Sequence, residues 1–488
     1  MAGMKAKQGT LTVLAPILAG DAPLTQLRAE LACIQEYVVK HAARTCGPAD
    51  SQVPFAEIRS LHYARFVILE EDGCGSTNGA RPSPCLLFST QYDGTLEEHL
   101  DELIGAAAPG LLAIYQYCQG FDAAAGPDPV RLRRYLLDHA AKANVFYVGA
   151  LGRSVGRIRW EAEVAEWIRE YAVELAGNAR DVDAAGVWRE IRDRVRTRLD
   201  GEDGRRLVEA YGEASAKSAG WVRYTRRTRW LWRAIYAAVY AAPVVALGVM
   251  LMLPAALVIP LALVFVALWL RVLEEQDAEV LRRDEARRSD VAHRKALAMH
   301  EKDLAQFEDL WSQNQLTVVS MVRPSALRRR LLRAILFVVR FRARYKFTRG
   351  LLHGVPTIHF AHWLVFERGR RLLFASNYDG SWAGYLDDFI QHAPGALTAI
   401  WCHTCGFPST RFLFWDGARD GTRFKAWTRS HQVAPAVWYS AYPQISVEEI
   451  NRNTELVEGL EDASLGKPQS RERTLAWLGG RTPEDRED

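Results

Sequence analysis

The residues with chemical potential come in pairs. Asp93-Gly94-Thr95 and Asp379-Gly380-Ser381 each end a strand-like run and open a helix-like one. A carboxylate at such a strand end can serve as an acid or base, which makes Asp93 and Asp379 the candidate catalytic residues. Turn and cap chemistry is the simpler account: glycine supplies the turn, and Thr95 with Glu98 makes a capping box. His62 and His359 begin equivalent strands, while His139 and His431 each precede an aromatic strand near a helix end. Neutral imidazole is a common haem and metal ligand, so His431, His359 and His139 are the candidate cofactor-binding residues. The bland alternatives are a histidine bonded to a strand carbonyl and a histidine at a helix C-terminus. Cys402-His403-Thr404-Cys405 lacks the histidine after the second cysteine that haem attachment needs, because Gly406 follows. It also lacks a second ligand pair at zinc spacing, so no metal site is expected.

The pairing reflects an internal duplication. His62 to Leu69 matches His359 to Phe366, and Phe88-Ser-Thr-Gln-Tyr-Asp-Gly94 matches Phe374-Ala-Ser-Asn-Tyr-Asp-Gly380. Gly120-Phe121 matches Gly406-Phe407, and His139 with Val145-Phe-Tyr147 matches His431 with Val437-Trp-Tyr439. Each copy reads as strand, helix, two strands, helix, and a closing strand at Leu111–Cys118 or Leu397–Thr404. That order is the ferredoxin-like β-α-β-β-α-β unit. Both helices of such a unit cover one sheet face, so two copies can pair their open faces around a pocket.

Between the copies, Ala234 to Leu270 carries no charged residue and contains Pro243, Pro254 and Pro260. One straight helix of that length would measure roughly 55 Å, against a hydrocarbon core of about 30 Å. Two short spans joined near Leu253-Pro254 fit better; the alternative is a single tilted, kinked span with the two halves of the protein on opposite sides. Arg223, Arg226, Arg227, Arg229 and Arg233 precede the run, and Arg271, Arg282 and Arg283 follow it, which places both ends on the cytoplasmic side. The expected order is repeat 1 (1–150), a charged helical linker (151–229), a membrane hairpin (230–270), a long charged helix (271–315), repeat 2 (316–460) and a disordered tail (461–488). The expected fold is therefore α+β: two ferredoxin-like repeats forming a pseudo-dimeric barrel, with a transmembrane helical hairpin and long charged helices. Its expected place is the membrane, with both repeats cytoplasmic.

This plan resembles the dimeric α+β barrel superfamily, which includes dye-decolorising peroxidases and chlorite dismutases. The resemblance covers Leu11 to about Tyr147 and Leu316 to about Tyr442, in element order. It implies haem, or another small flat redox ligand, held between paired sheets and peroxidase-like oxidoreductase chemistry. The peroxidase signature Gly-x-x-Asp-Gly is matched by Thr90-Gln-Tyr-Asp93-Gly94 and Ser376-Asn-Tyr-Asp379-Gly380, each without the first glycine. The alternative is a non-catalytic membrane-tethered scaffold or partner-binding protein. The expected partners are the lipid bilayer with a small lipophilic substrate, or a protein at the membrane. Sixty-two basic against 58 acidic residues give a net charge of +4, too little for a nucleic-acid binder driven by a global field. Seven scattered cysteines describe no disulfide framework. The basic helix from Ser325 to Arg349 reads as lying on an anionic leaflet or covering the sheet. No phosphate-binding glycine loop, nucleophile elbow or paired-histidine zinc motif is present.

Overall fold

The computed structural model describes residues 8–42, 52–70, 84–122, 128–176, 183–212, 255–288, 291–345, 352, 354–462, 465, 474 and 477. The first repeat comprises β1 (Gln8–Pro16), α1 (Asp21–Ala42), β2 (Leu61–Leu69), β3 (Cys85–Asp93), α2 (Leu96–Tyr115), α3 (Pro129–Asp138) and β4 (Val145–Val148). Three linker helices follow: α4 (Val155–Ala176), α5 (Ala184–Asp200) and α6 (Glu202–Tyr211). Then come α7 (Ala255–Arg288) and α8 (Val291–Ala305). The second repeat comprises β5 (Gln313–Met321), α9 (Ala326–Tyr345), β6 (Ile358–Phe366), β7 (Arg371–Asp379), α10 (Trp382–His392) and α11 (Pro394–Trp401). It continues through a small hairpin, β8 (Thr410–Arg411) and β9 (Trp415–Asp416), to α12 (Gly421–His431), β10 (Val437–Ser440) and α13 (Val447–Glu461).

Each repeat lends its last strand to the other. One antiparallel sheet has the order β1-β3-β2-β10 and the second β4-β6-β7-β5. Val437 to Ser440 pairs with Phe66 to Tyr63, and Val145 to Val148 pairs with Trp363 to Phe360. Neither repeat's sheet is complete without the other repeat.

The expected closing strands are helical. Leu111 to Tyr115 continues α2, which the Thr95–Glu98 capping box starts and which runs through Pro109. In the second repeat Pro394 sits in the first turn of α11, where a missing N–H costs nothing, and Leu397 to Trp401 is helix. Only isolated bridges remain of the expected pairing, Ile17 to Cys118 and Val322 to Thr404.

The two sheets stack face to face between two helical layers. Period-two alternation turns Leu86 and Phe88 of β3 toward α1, α2 and α3, in a core with Leu31, Leu103, Leu111 and Leu136. Val318, Trp363 and Phe374 likewise meet α9 to α12 through Leu336, Phe389, Ile400 and Trp427. Between the sheets, Val67, Leu69 and Leu87 meet Val319, Leu364, Phe366 and Leu373. Both sheets stay open at their edges, so no barrel closes, and the pseudo-dimeric barrel is replaced by a strand-exchanged stack.

The membrane hairpin and the membrane location are also corrected. Among the described residues, no helix is long and apolar enough to cross a membrane. Residues 234–254, the first half of the uncharged run, lie outside the described residues. The second half is no separate span: it opens α7, which continues without a break into the charged stretch up to Arg288. Buried Glu274 and Leu281, half-buried Asp277 and the partly buried Leu270 fall on one face of α7. Glu274 accepts hydrogen bonds from Thr410 Oγ1, Phe412 N and Leu413 N, at 2.9–3.0 Å, and so ties the β8–β9 hairpin to α7.

A third core joins α4, α5, α6 and α13 through Trp160, Trp188, Ile191, Leu207 and Leu460. Leu465, Thr474 and Trp477 of the C-terminal segment are buried, and Trp477 Nε1 donates to Leu456 O at 3.2 Å.

Candidate functional site

The duplicated Asp and His residues form one motif, made twice. Ladder registers shift between Leu61 and Tyr63 and between Ile358 and Phe360, so His62 and His359 sit at irregularities that re-aim a side chain. His62 Nε2 donates to Asp93 Oδ1 at 3.0 Å, and His359 Nε2 donates to Asp379 Oδ1 at 2.6 Å. The second carboxylate oxygen of each aspartate accepts a backbone N–H from a distant helix start. Asp93 Oδ2 takes Val155 N and Asp379 Oδ2 takes Val447 N, both at 2.8 Å. Negative charge there also complements the helix dipoles of α4 and α13. Ser154 and Ser446 occupy the preceding cap positions and accept from Arg157 N and Glu449 N. Each aspartate thus binds its own repeat's histidine to the helix that follows an exchanged strand.

Asp93 and Asp379 therefore do end strands, β3 and β7, but the helix starts their carboxylates bind are those of α4 and α13. Thr95 and Ser381 cap the adjacent α2 and α10.

Both His–Asp pairs meet in one aromatic cluster. Tyr442 OH lies 2.7 Å from His62 Nδ1. With the Nε2 proton directed at Asp93, Nδ1 is the acceptor and the phenol the donor. Tyr63 lies between His359 and Tyr442, with ring centroids at 5.7 and 5.6 Å, and Phe360 contacts both His62 and Tyr63. Burial holds the Tyr63 and Tyr442 phenols well above their usual range. An Asp–His–Tyr chain can hold and orient a proton, but His62 is fully buried and Tyr442 is 3% exposed. The histidine and phenol are closed to solvent, and only the aspartates are partly exposed.

The interior next to this cluster is filled by a polar network centred on Arg65. Its Nη1 donates to Gln315 Oε1, Leu316 O and Thr317 Oγ1 at 2.9–3.2 Å, and its Nη2 to Ser376 O at 3.0 Å and to Asn377 Oδ1. Every one of those acceptors belongs to the opposite sheet. Asn377 also donates to Gln91 Oε1 and accepts from Trp438 Nε1, both at 3.1 Å. None of the hydrogen-bond acceptors of Arg65 is a carboxylate, and burial pulls its guanidinium down to about 9, still charged at neutral pH. The equivalent residue of the second repeat is His362, held neutral by burial and by Arg65, its pKa lowered to about 3.

The three histidines expected to bind haem do not converge. His139 and His431 end α3 and α12, and each Nδ1 lies 2.9 Å from the carbonyl four residues back, Tyr135 O and Trp427 O. They satisfy helix-end carbonyls, as a histidine at a helix C-terminus does. His359 is committed to Asp379. Among the described residues, cavities of about 20 and 10 Å³ are lined respectively by Leu316, Trp363 and Trp427 and by Glu274, Asp277 and Arg323. Each is on the scale of a water molecule, whereas sites for drug-sized ligands measure roughly 300–1,000 Å³. These residues do not fit a haem.

Cys402 to Cys405 follow the end of α11 and are not a strand. Burial pushes the Cys402 thiol up to about 12, the reverse of an activated thiol. Among the described residues no group of three His, Cys, Asp or Glu side chains could hold a metal ion.

Sequence reasoning missed Arg65, Tyr442 and the two Ser-Val pairs. Ser154-Val155 follows Tyr147 at the same distance as Ser446-Val447 follows Tyr439, so the duplication extends into α4 and α13. Arg65 was visible as a lone cation inside an apolar strand. No protein-family model, curated protein or solved structure matches the chain.

Proposed function

We propose that the protein is a non-catalytic scaffold or partner-binding protein, a rigid double repeat rather than a ligand-holding enzyme. The observation that carries this reading is the Arg65 network, which occupies the inter-sheet space where a dimeric α+β barrel would keep its ligand. The twofold use of Asp93 and Asp379 supports it as well. Both carboxylates are spent on joining strand exchange to helix starts.

Kinship with the haem-binding barrels rests on the order of elements within each repeat, and the filled interior weighs against carrying their chemistry over. A spectrophotometric haem titration of the full-length protein tests the reading. The expected result is no stoichiometric Soret band and no peroxidase turnover above free haem. A stoichiometric band abolished by His431→Ala would sink the scaffold reading.

A further inference from the structure

The turn between β6 and β7 gathers an arginine cluster that the scaffold reading does not use. Glu367, Arg368 and Gly369 all have positive φ (48°, 57° and 89°), which folds the chain tightly under α9. Arg329 Cδ and Arg333 Nη2 lie 3.3 Å from where a Cβ on Gly369 would stand, so both side chains close over the turn. Arg368 and Arg370 flank that glycine, and both are exposed, as is Arg333. The nearby acid, Glu367, is engaged by Arg371 at 3.4 Å. Among the described residues, Arg329, Arg333, Arg368 and Arg370 make no ion pair, although the chain has nearly equal numbers of acids and bases.

Like charges four residues apart on a helix repel, as Arg329 and Arg333 do. Two further cations brought up by a strained turn add to that repulsion. All four are arginines, whose planar forks match phosphate oxygens two at a time. We infer that the Arg329–Arg333–Arg368–Arg370 cluster is a binding site for a phosphate-bearing anion of at least two negative charges. The ligand sits against the Gly369 turn, at the outer surface and away from the buried His–Asp pairs. A free phosphorylated compound and a lipid headgroup supply the same chemistry.

The test uses the full-length protein with two probes. Inorganic tripolyphosphate is titrated calorimetrically at low salt. Sedimentation is measured with phosphatidylcholine vesicles, with and without phosphatidic acid. Saturable binding of either probe is expected, weakened roughly ten- to a hundredfold in the double variant Arg329→Gln, Arg333→Gln. The exposed-turn variant Arg368→Gln, Arg370→Gln should lose a similar factor, which guards against misfolding of the first. Removing two positive charges elsewhere, by Arg134→Gln and Arg189→Gln, should leave binding unchanged; both residues are exposed and only loosely paired, at 3.8 Å. Tripolyphosphate binding without vesicle binding assigns a free ligand, and binding confined to phosphatidic acid vesicles assigns a headgroup. Saturation by neither probe, or equal binding by both cluster variants and the wild type, would overturn the site.

Discussion

Replacing Arg65 with methionine is the most informative perturbation of the inter-sheet interface. The substitution keeps most of the volume and removes the five hydrogen bonds that the two terminal nitrogens send across the sheets. Thr317 still bonds Gln315 Oε1, and Trp438 still bonds Asn377 Oδ1, so those acceptors keep partners. Leu316 O and Ser376 O lose the guanidinium, at about 1–3 kcal/mol for each buried group left short of a partner. Against this, a buried cation with no carboxylate disappears, and several kcal/mol of its desolvation are relieved. The hydrogen bonds are charge-assisted and numerous, so the lost bonds should outweigh the relief. The expected net loss is about 2–4 kcal/mol, read in a chain of this length as a fall in melting temperature of roughly 2–4 °C. Arg65→Lys should be no milder, because an ammonium offers three donors where five contacts are made. Differential scanning calorimetry with both variants decides. A methionine variant as stable as wild type, or more stable, would refute the idea that this network holds the sheets together.

Asp93→Asn and Asp379→Asn separate the observed tie from a plain turn. Asparagine serves turns and caps as well as aspartate does, yet its amide cannot accept from both the histidine and the helix N–H. Each variant should lose about 1.5–3 kcal/mol, and hydrogen exchange should quicken at the Val155 or Val447 amide; near-neutral melting would favour the plain turn. Stability should also fall with acid. Burial lowers His99, His362 and His403 to about 3 each, below the unfolded value near 6.5. The unfolded chain therefore binds more protons between those values, and stability present above pH 6.5 drains away as pH drops toward 3. Among the described residues neither ring nitrogen of His403 has a hydrogen-bond partner, so His403→Leu should flatten the melting curve against pH without lowering stability at pH 7. Glu274→Gln should free the β8–β9 hairpin, seen as faster proteolysis around Phe412 to Trp415 at an unchanged melting temperature. Protection equal to wild type would mean that Glu274 does not hold the hairpin.

Pattern and period made the repeated strands legible. His359 to Phe366 alternates between two apolar faces, and both are covered, one by helices and the other by the opposing sheet. Duplication likewise led to Asp93, Asp379, His62 and His359, although their partners lay out of view. A carboxylate that caps a helix 62 or 68 residues away leaves no local signal. The closing strands failed for a local reason, since Leu111 to Tyr115 is a short continuous apolar run and periodicity alone does not separate a buried strand from a buried helix. Strand exchange was out of reach altogether. Val145 to Val148 pairs equally well in principle with either repeat, because the two repeats present similar edges. The uncharged run was read as a hairpin by its length, and the continuation of helix α7 past Leu270 is set by the docking of Glu274 and Leu281.

Strand exchange is the premise of the whole account, and engineered cysteine pairs test it directly. Ala64 faces Tyr439 and Ala361 faces Tyr147 across the two ladders. Neighbouring antiparallel positions lie within disulfide reach. Peptide mass mapping of oxidised protein should find Ala64→Cys joined to Tyr439→Cys, and Ala361→Cys joined to Tyr147→Cys, with folding retained. The combinations within one repeat, Ala64→Cys with Tyr147→Cys and Ala361→Cys with Tyr439→Cys, should stay reduced. Bonds formed within a repeat, and not between repeats, would contradict the exchange.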